Sequence, residues 1–239
     1  MDLILQGFKQ AFIMLIKGNP LVIEIALRSL AVSGTAVAIS MILGISTGLA
    51  LALVRFPGRR VLLSLVNTGM GLPPTAVGLF VALLLARNGL FGFAGLLYTK
   101  QAMVIAQTVI ATPIVTGLTV SAIQSLNPKL RLQALSLGAT KVQMLWTLIK
   151  EARLPMLAAV MAGFGGVISE VGAVMMVGGN VSGDTQVLTT AVVEYVGKGD
   201  FPVAIALSLI LLTLIFVVNF ALTQMQQREA QPWLRRISK

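Results

Sequence analysis

Charge is missing from four long stretches of the chain: between Arg28 and Arg55, between Arg60 and Arg87, between Lys100 and Lys129, and between Asp200 and Arg228. Each exceeds the ~20 residues that a helix needs to cross the bilayer core, where an ionisable side chain is costly. A fifth apolar stretch runs from Arg153 to Gly178 and is interrupted once, by Glu170. The pattern predicts five transmembrane helices, near residues 29–54, 61–86, 101–125, 154–178 and 202–225, and thus an all-α polytopic membrane protein. Ahead of them Leu5, Phe8, Phe12 and Leu15 recur at helical spacing, with Gln6, Lys9, Gln10 and Lys17 between. Residues 1–28 are therefore expected to hold a short helix lying in the membrane interface; a frayed terminus is the alternative.

Composition agrees with lipid as the main solvent. Apolar residues make up 56% of the 239-residue chain and charged residues 11%, with a mean hydropathy of +0.92. That is too little charge to hydrate a water-facing surface, where about 25% is usual. No soluble domain, low-complexity linker or internal repeat is evident, so residues 1–239 read as one transmembrane domain. The opening Met1-Asp2, with Lys9 the first basic residue, lacks the form of a secretory signal peptide. The net charge of +10 is distributed by loop: segments 55–60, 126–153 and the tail from Arg228 carry 12 Lys and Arg, whereas 1–28, 87–100 and 179–201 carry 6. The excess places the first set and the C-terminus in the cytoplasm and the N-terminus outside. In a membrane protein this basic balance reports topology and not a nucleic-acid partner.

The spans are not uniform. The second contains Thr68-Gly69-Met70-Gly71-Leu72-Pro73-Pro74-Thr75, whose two prolines lack amide donors. The third contains Thr112-Pro113, and the fourth is rich in glycine. Broken backbone at membrane depth survives only where protein or a water-filled cavity surrounds it, so interruptions in several helices favour a translocation path. Thr68, Gly71, Pro73, Thr75, Thr112, Ser169, Glu170 and Asn180 are its candidate gate and pathway residues; for each hydroxyl the alternative is a bond to its own helix carbonyl. The faces Gly44-Ile-Ser-Thr-Gly48 and Gly117-Leu-Thr-Val-Ser121 suit close helix packing, here expected to join two copies of the chain. Glu170 stands alone as an acid within a span; it is expected to be protonated and hydrogen-bonded or paired, and to act as a gate or helix-positioning group.

The segment Ser125–Arg153, roughly 29 residues, is long for a helix connection. Leu130, Leu132, Leu135 and Leu137, then Val142, Leu145, Trp146 and Ile149, give it helical periodicity; Asn127-Pro128 marks a start, and Gly138 separates two short helices. Such an amphipathic hairpin docks either a partner or its own membrane face. Leu132-Gln-Ala-Leu-Ser-Leu-Gly138-Ala139, followed by Leu154-Pro155, resembles the coupling loop of ABC importer permeases. Ala134 and Gly138 match that pattern in register. Leu132 stands where the family has Glu, Gln133 replaces an Ala, Glu151 sits where Pro is expected, and Leu154-Pro155 comes four residues late. The segment Ser169-Glu-Val-Gly-Ala-Val-Met-Met-Val-Gly-Gly-Asn180, with Leu188-Thr-Thr190 and Lys198-Gly-Asp-Phe201 after it, is similar to sulfate and molybdate permeases and most like the tungstate branch.

The resemblance implies a type I (MetI-like) importer fold in the bacterial or archaeal cytoplasmic membrane, with the chain as a permease for an oxyanion, tungstate in the first place, with molybdate and sulfate as the alternatives. It also implies a second copy of the chain, two cytoplasmic ATPases that hold ATP and Mg, and an extracytoplasmic oxyanion-binding protein. Ala134, Leu135, Gly138 and Ala139 would couple to the ATPase. The chain itself is not expected to be an enzyme or to hold a cofactor. A phosphate-binding Gly-x-x-x-x-Gly-Lys-Ser/Thr loop is missing: Gly197-Lys198-Gly199 lacks the hydroxyl residue, and Ser182-Gly183-Asp184 matches an ABC signature only superficially. With no Cys and no His, thiol nucleophiles, imidazole bases and common zinc sites are excluded. A stand-alone channel or secondary transporter is the rival class, but it would not require the long hairpin.

Overall fold

The computed structural model describes the backbone of residues 2–16 and 19–237 and the side chains of residues 4–14 and 19–227. Its helices run in the order α1 (Asp2–Ile16), α2 (Pro20–Leu53), α3 (Arg59–Met70), α4 (Pro74–Leu85), α5 (Lys100–Gln124), α6 (Pro128–Ser136), α7 (Lys141–Ile168), α8 (Gly172–Gly178), α9 (Leu188–Gly197) and α10 (Phe201–Ile237), with a 3₁₀ turn at Gly92–Ala94. Helices α2, α5, α7 and α10 are each long and apolar enough to cross a membrane, and α3 with α4 forms a fifth apolar unit bent by 104°.

Local sequence sets most boundaries. Asn19 caps α2 through a bond from Leu21 N to its side chain at 3.1 Å, with Pro20 in the first turn. Thr140 and Gln143 form a reciprocal capping box at the start of α7, with bonds of 2.8 and 3.3 Å. Pro73 and Pro74 end one helical direction and begin another, so the expected break in the second span falls between Met70 and Pro74.

Helix α5 is the centre of the bundle and touches α2, α3, α4, α7 and α8. Because lipid tails are as apolar as the helices, close approach and interhelical hydrogen bonds bind these elements. A Cβ added at Gly44 would come 2.8 Å from Val115 Cβ, and one at Gly48 would come 2.7 Å from Thr119 Cβ. A hydroxyl seam runs beside them: Thr47 Oγ1 lies 3.1 Å from Thr116 Oγ1, and Thr112 Oγ1 lies 3.3 Å from Ser40 Oγ. The apolar core continues through Val77 and Val81 of α4, Met103 and Ala106 of α5, Phe164 and Val167 of α7, and Val174 of α8.

Several expectations need correction. The small-residue faces do not lie free for a second copy: Gly44 and Gly48 are spent on α5, and Gly117 packs against Met70 and Val66 of α3 in the same chain. The first helix starts at Pro20, not near residue 29, because the charge of Arg28 is met by Glu24 one turn back and by the Gln186 and Gly183 carbonyls of a distant loop. Helix α5 continues through Pro113, since the surrounding helices hold it straight where local sequence favours a break. The second half of the hairpin is not a separate short helix; it is the first part of α7, which continues through Pro155 into the fourth span.

The amino-terminal segment is a helix packed on α10. Its contact face is the small one: a Cβ at Gly7 would overlap Ile205, and Ala11 is buried. The stripe of Leu5, Phe8 and Phe12 points outward and is left for lipid. The side chain of Leu15 and all of Lys17, which belong to the same pattern, lie outside the described residues.

Candidate functional site

Two interruptions meet in the bundle. At the first, α3 ends at Met70, with Gly71 N bonded to Thr68 O at 3.0 Å, and α4 restarts at Pro74. At the second, α7 ends at Ile168 and α8 begins at Gly172. Thr75 stands against Gly172, where an added Cβ would overlap Thr75 Cγ2 and lie 3.5 Å from Glu170 Oε1. One turn on, a Cβ at Gly78 would come 2.8 Å from Ala173 Cβ. The absence of side chains at Gly78 and Gly172 is what lets the two restarting helices cross.

The second break is held by polar groups from two other elements and by its own residues. Val167 O accepts from Gln107 Nε2 of α5 at 3.0 Å and from Glu170 N at 3.2 Å. Glu170 O accepts from Thr189 Oγ1 of α9 at 3.1 Å. The Glu170 carboxylate accepts from Ala173 N at 3.1 Å and so satisfies one of the free amides at the start of α8. The Glu170 side chain thus reaches the first turn of α8. Its conversion to Ala should cost about 1 kcal/mol of local stability through the lost cap. Glu170→Gln keeps an acceptor at the same place, so it should fold and melt near wild type where Glu170→Ala does not, which thermal melting in detergent checks.

Of the other sequence candidates, Thr68, Gly71, Pro73 and Thr75 gather at the first break and Ser169 at the second. The Ser169 hydroxyl bonds back to Gly165 O at 2.8 Å, and Thr112 bonds back to Thr108 O at 2.7 Å while joining the α2–α5 seam. Thr112 therefore serves the seam and does not join the two breaks. Asn180 lies past the far end of α8, about 10 Å along the helix from Gly172. Its Nδ2 donates to Glu194 Oε2 at 2.8 Å, and its buried Oδ1 has no partner among the described residues.

The sequence reading missed four groups. Ser64 and Asn67 share with Thr68 and Gly71 one face of α3, opposite Leu62, Leu65 and Val66, and Ser64, Asn67, Thr68 and Gly71 are all exposed in the chain. The i, i+3, i+4, i+7 recurrence was visible in the sequence. Gln107, a strongly polar side chain midway along an apolar span, was equally visible. Arg28 was taken for the edge of a span. Its guanidinium donates to Gln186 O at 2.9 Å, Gly183 O at 2.8 Å and Glu24 at 2.7 Å, which ties α2 to the loop after α8.

In that loop region Glu194 of α9 accepts from Lys198, Asn180 and Gln186. The Lys198 hydrogen bond, opposed by partial burial and reinforced by the two amides, holds the Glu194 carboxyl below its ordinary value of 4.5. A carboxyl lowered on folding stabilises the fold above its unfolded value and loses that contribution as pH falls through the lowered one. Acidifying below about 4.5 should loosen the 180–198 segment, seen as faster amide exchange, and Glu194→Gln should remove that pH step.

The hairpin presents an apolar surface to its surroundings. Asn127 caps α6 through Lys129 N at 2.9 Å, and Ala139 N returns to Ala134 O at 3.0 Å. Gly138 adopts φ +80°, and nothing lies within 4 Å of where its Cβ would be. Leu132, Leu135, Leu137, Val142 and Trp146 are all exposed around this turn.

The binding-protein-dependent transport system inner membrane component family matches residues 40–231. The tungstate uptake system permease protein of Peptoclostridium acidaminophilum is 37% identical over 227 residues, covering 95% of this chain and all of that protein. A probable anion ABC transporter permease protein of Haloferax volcanii is 40% identical over 82% of this chain and 87% of its own length. Among solved structures, an inward-facing form of the MetNI methionine ABC transporter superposes with a TM-score of 0.74 at 19% identity, over 88% of this chain and 97% of that one. Family, length and helical architecture agree: this chain belongs to the inner membrane components of binding-protein-dependent transport systems, and is a multi-pass ABC importer permease of the MetI-like fold.

Proposed function

We propose that the chain is the permease subunit of an ATP-driven importer that carries an oxyanion, tungstate in the first place, across the cytoplasmic membrane by alternating access. The observation that carries the substrate is the 37% identity to a tungstate uptake permease over 95% of the chain. The geometry supports the path. Asn67 and Ser64 sit on an exposed face of α3, while Val66, Gly69 and Met70 meet α5, and unpaired amides and hydroxyls are expensive against lipid. That face is best satisfied by a water-lined route, shared with a second copy across a two-fold axis. Hydroxyls and side-chain amides can pass a dianion without a fixed cation, and weak contacts suit a conduit.

In this reading the C-terminus and the α6–α7 hairpin are cytoplasmic, two ATPases bind ATP and Mg beneath them, and an oxyanion-binding protein delivers substrate from outside. The exposed apolar residues around Gly138 are the surface offered to the ATPase, with Ala134, Leu135, Gly138 and Ala139 at the turn. The core contains two permease chains; a purified, active complex with one would contradict this. Substrate is tested by uptake into vesicles holding the permease, ATPase and binding protein. Labelled tungstate should accumulate only with ATP and the binding protein, and molybdate and sulfate should compete less well than unlabelled tungstate. Equal or stronger competition by molybdate or sulfate would reassign the substrate, and uptake without the ATPase would reassign the transporter class.

A further inference from the structure

An apolar groove of about 470 Å³ opens between α2, α3 and α5, with Ala50, Leu51, Leu62, Leu65, Val66 and Pro113 in its wall. The three threonines that also line it offer no free donor. Thr47 Oγ1 donates to Leu43 O at 2.7 Å, Thr112 Oγ1 to Thr108 O at 2.7 Å, and Thr116 Oγ1 to Thr112 O at 2.8 Å. The groove therefore suits a hydrocarbon chain and cannot serve an oxyanion.

Phe56 belongs both to this groove and to an adjoining hollow of about 440 Å³ formed by the α2–α3 turn, which Arg55, Arg59 and Arg60 line. Arg59 Nε donates to Leu51 O at 2.6 Å, which fixes the guanidinium at the end of α2 and leaves its terminal nitrogens for another acceptor. No Asp or Glu occurs between Glu24 and Glu151. Among the described residues, the ion pairs Arg28–Glu24, Lys100–Asp184 and Lys198–Glu194 involve none of the three arginines of this turn. A basic hollow continuous with a dry groove calls for an amphiphile with a negative head.

We propose that the groove and the α2–α3 turn form a binding site for one anionic phospholipid, with its phosphate held by Arg55, Arg59 and Arg60 and an acyl chain lying between α2, α3 and α5. The lipid would brace the apolar side of α3, whose opposite side carries Ser64, Asn67 and Thr68. This site is independent of which oxyanion is transported.

Native mass spectrometry of the intact permease–ATPase complex, delipidated and titrated with phosphatidylglycerol or phosphatidylcholine, tests it. The wild-type complex should bind phosphatidylglycerol in preference. Replacing both Arg55→Gln and Arg60→Gln should weaken phosphatidylglycerol roughly tenfold or more and leave phosphatidylcholine unchanged. Ala50→Phe, which fills the groove without touching a charge, should weaken both lipids. Should the arginine variants destabilise the complex, Ala50→Phe and a Leu65→Cys variant carry the test, since a phosphatidylglycerol with a thiol-reactive maleimide on its acyl chain should alkylate the introduced cysteine. Equal binding of the two lipids by wild type, preference surviving the arginine changes, competition by inorganic phosphate or tungstate, or a Leu65→Cys disulfide between two copies would each overturn the proposal.

Discussion

Gly138→Leu is expected to reduce uptake to background while the permease still inserts and folds. The residue sits at φ +80°, a conformation that costs an L side chain about 1 kcal/mol or more. Open space around it means that no clash arises within this chain. The strain redirects the short connection between α6 and α7, and with it the exposed Leu132, Leu135, Leu137 and Trp146 that the account assigns to ATPase docking. Co-purification of the ATPase should fall along with uptake. Asn tolerates this conformation better than any branched residue, so Gly138→Asn should keep much of the activity if conformation is the requirement. An Asn variant as inactive as the Leu variant would mean that a partner approaches the Gly138 backbone too closely for any side chain. Normal transport-linked hydrolysis in Gly138→Leu would remove the hairpin from the coupling role.

Gly78→Leu should have the largest effect on folding. A Cβ there would come 2.8 Å from Ala173 Cβ and would overlap the Ala173 backbone, and a Leu adds three more carbons. Both neighbours are fixed, one by the packing of α4 on α8 and the other by the cap from Glu170 and the bonds from Gln107 and Thr189. Overpacking at such a crossing costs about 3 kcal/mol or more. The variant should show reduced yield and a lower melting temperature in detergent, whereas Gly165→Leu, where nothing lies within 4 Å of an added Cβ, should melt near wild type. Equal stability of the two would mean that the α4–α8 crossing is not a close one.

Much of this architecture was legible because hydrocarbon penalises charge so strongly that charge-free stretches mark spans. All five stretches became long helices or a broken pair, three of them (59–85, 100–124 and 201–227) close to the expected limits. The departures share one cause: a side chain whose cost was judged alone was satisfied by a distant partner. Arg28 looked like the end of a span because Gln186 and Gly183, which receive its protons, lie more than 150 positions away. Pro113 looked like a break because the helices that hold α5 straight are not its sequence neighbours. Gly44 and Gly48 announced a close contact correctly, yet spacing cannot say whether the partner is the same chain or another; it is α5 of the same chain. At the candidate site, the prolines at residues 73 and 74 and the lone acid Glu170 were readable from residue type. The meeting of the two breaks through Thr75 and Gly172 was not, because it depends on the 104° turn of α4 away from α3. Asn67 and Gln107 could have been found, since each is polar within an otherwise apolar repeat.

The central claim is that the polar face of α3 and the two breaks line one path whose access changes with the ATPase cycle. The chain has no cysteine, so a single introduced thiol reports alone. Asn67→Cys in the assembled, vesicle-reconstituted transporter, probed with a membrane-impermeant thiol reagent with and without ATP, measures the claim directly. Asn67→Cys should react from the aqueous phase, at a rate from one side that changes when ATP and the binding protein are supplied, while Leu79→Cys, on the exposed apolar surface of α4, should stay unreactive throughout. An Asn67→Cys that reacts only with a lipid-soluble reagent, at a rate indifferent to ATP, would contradict it.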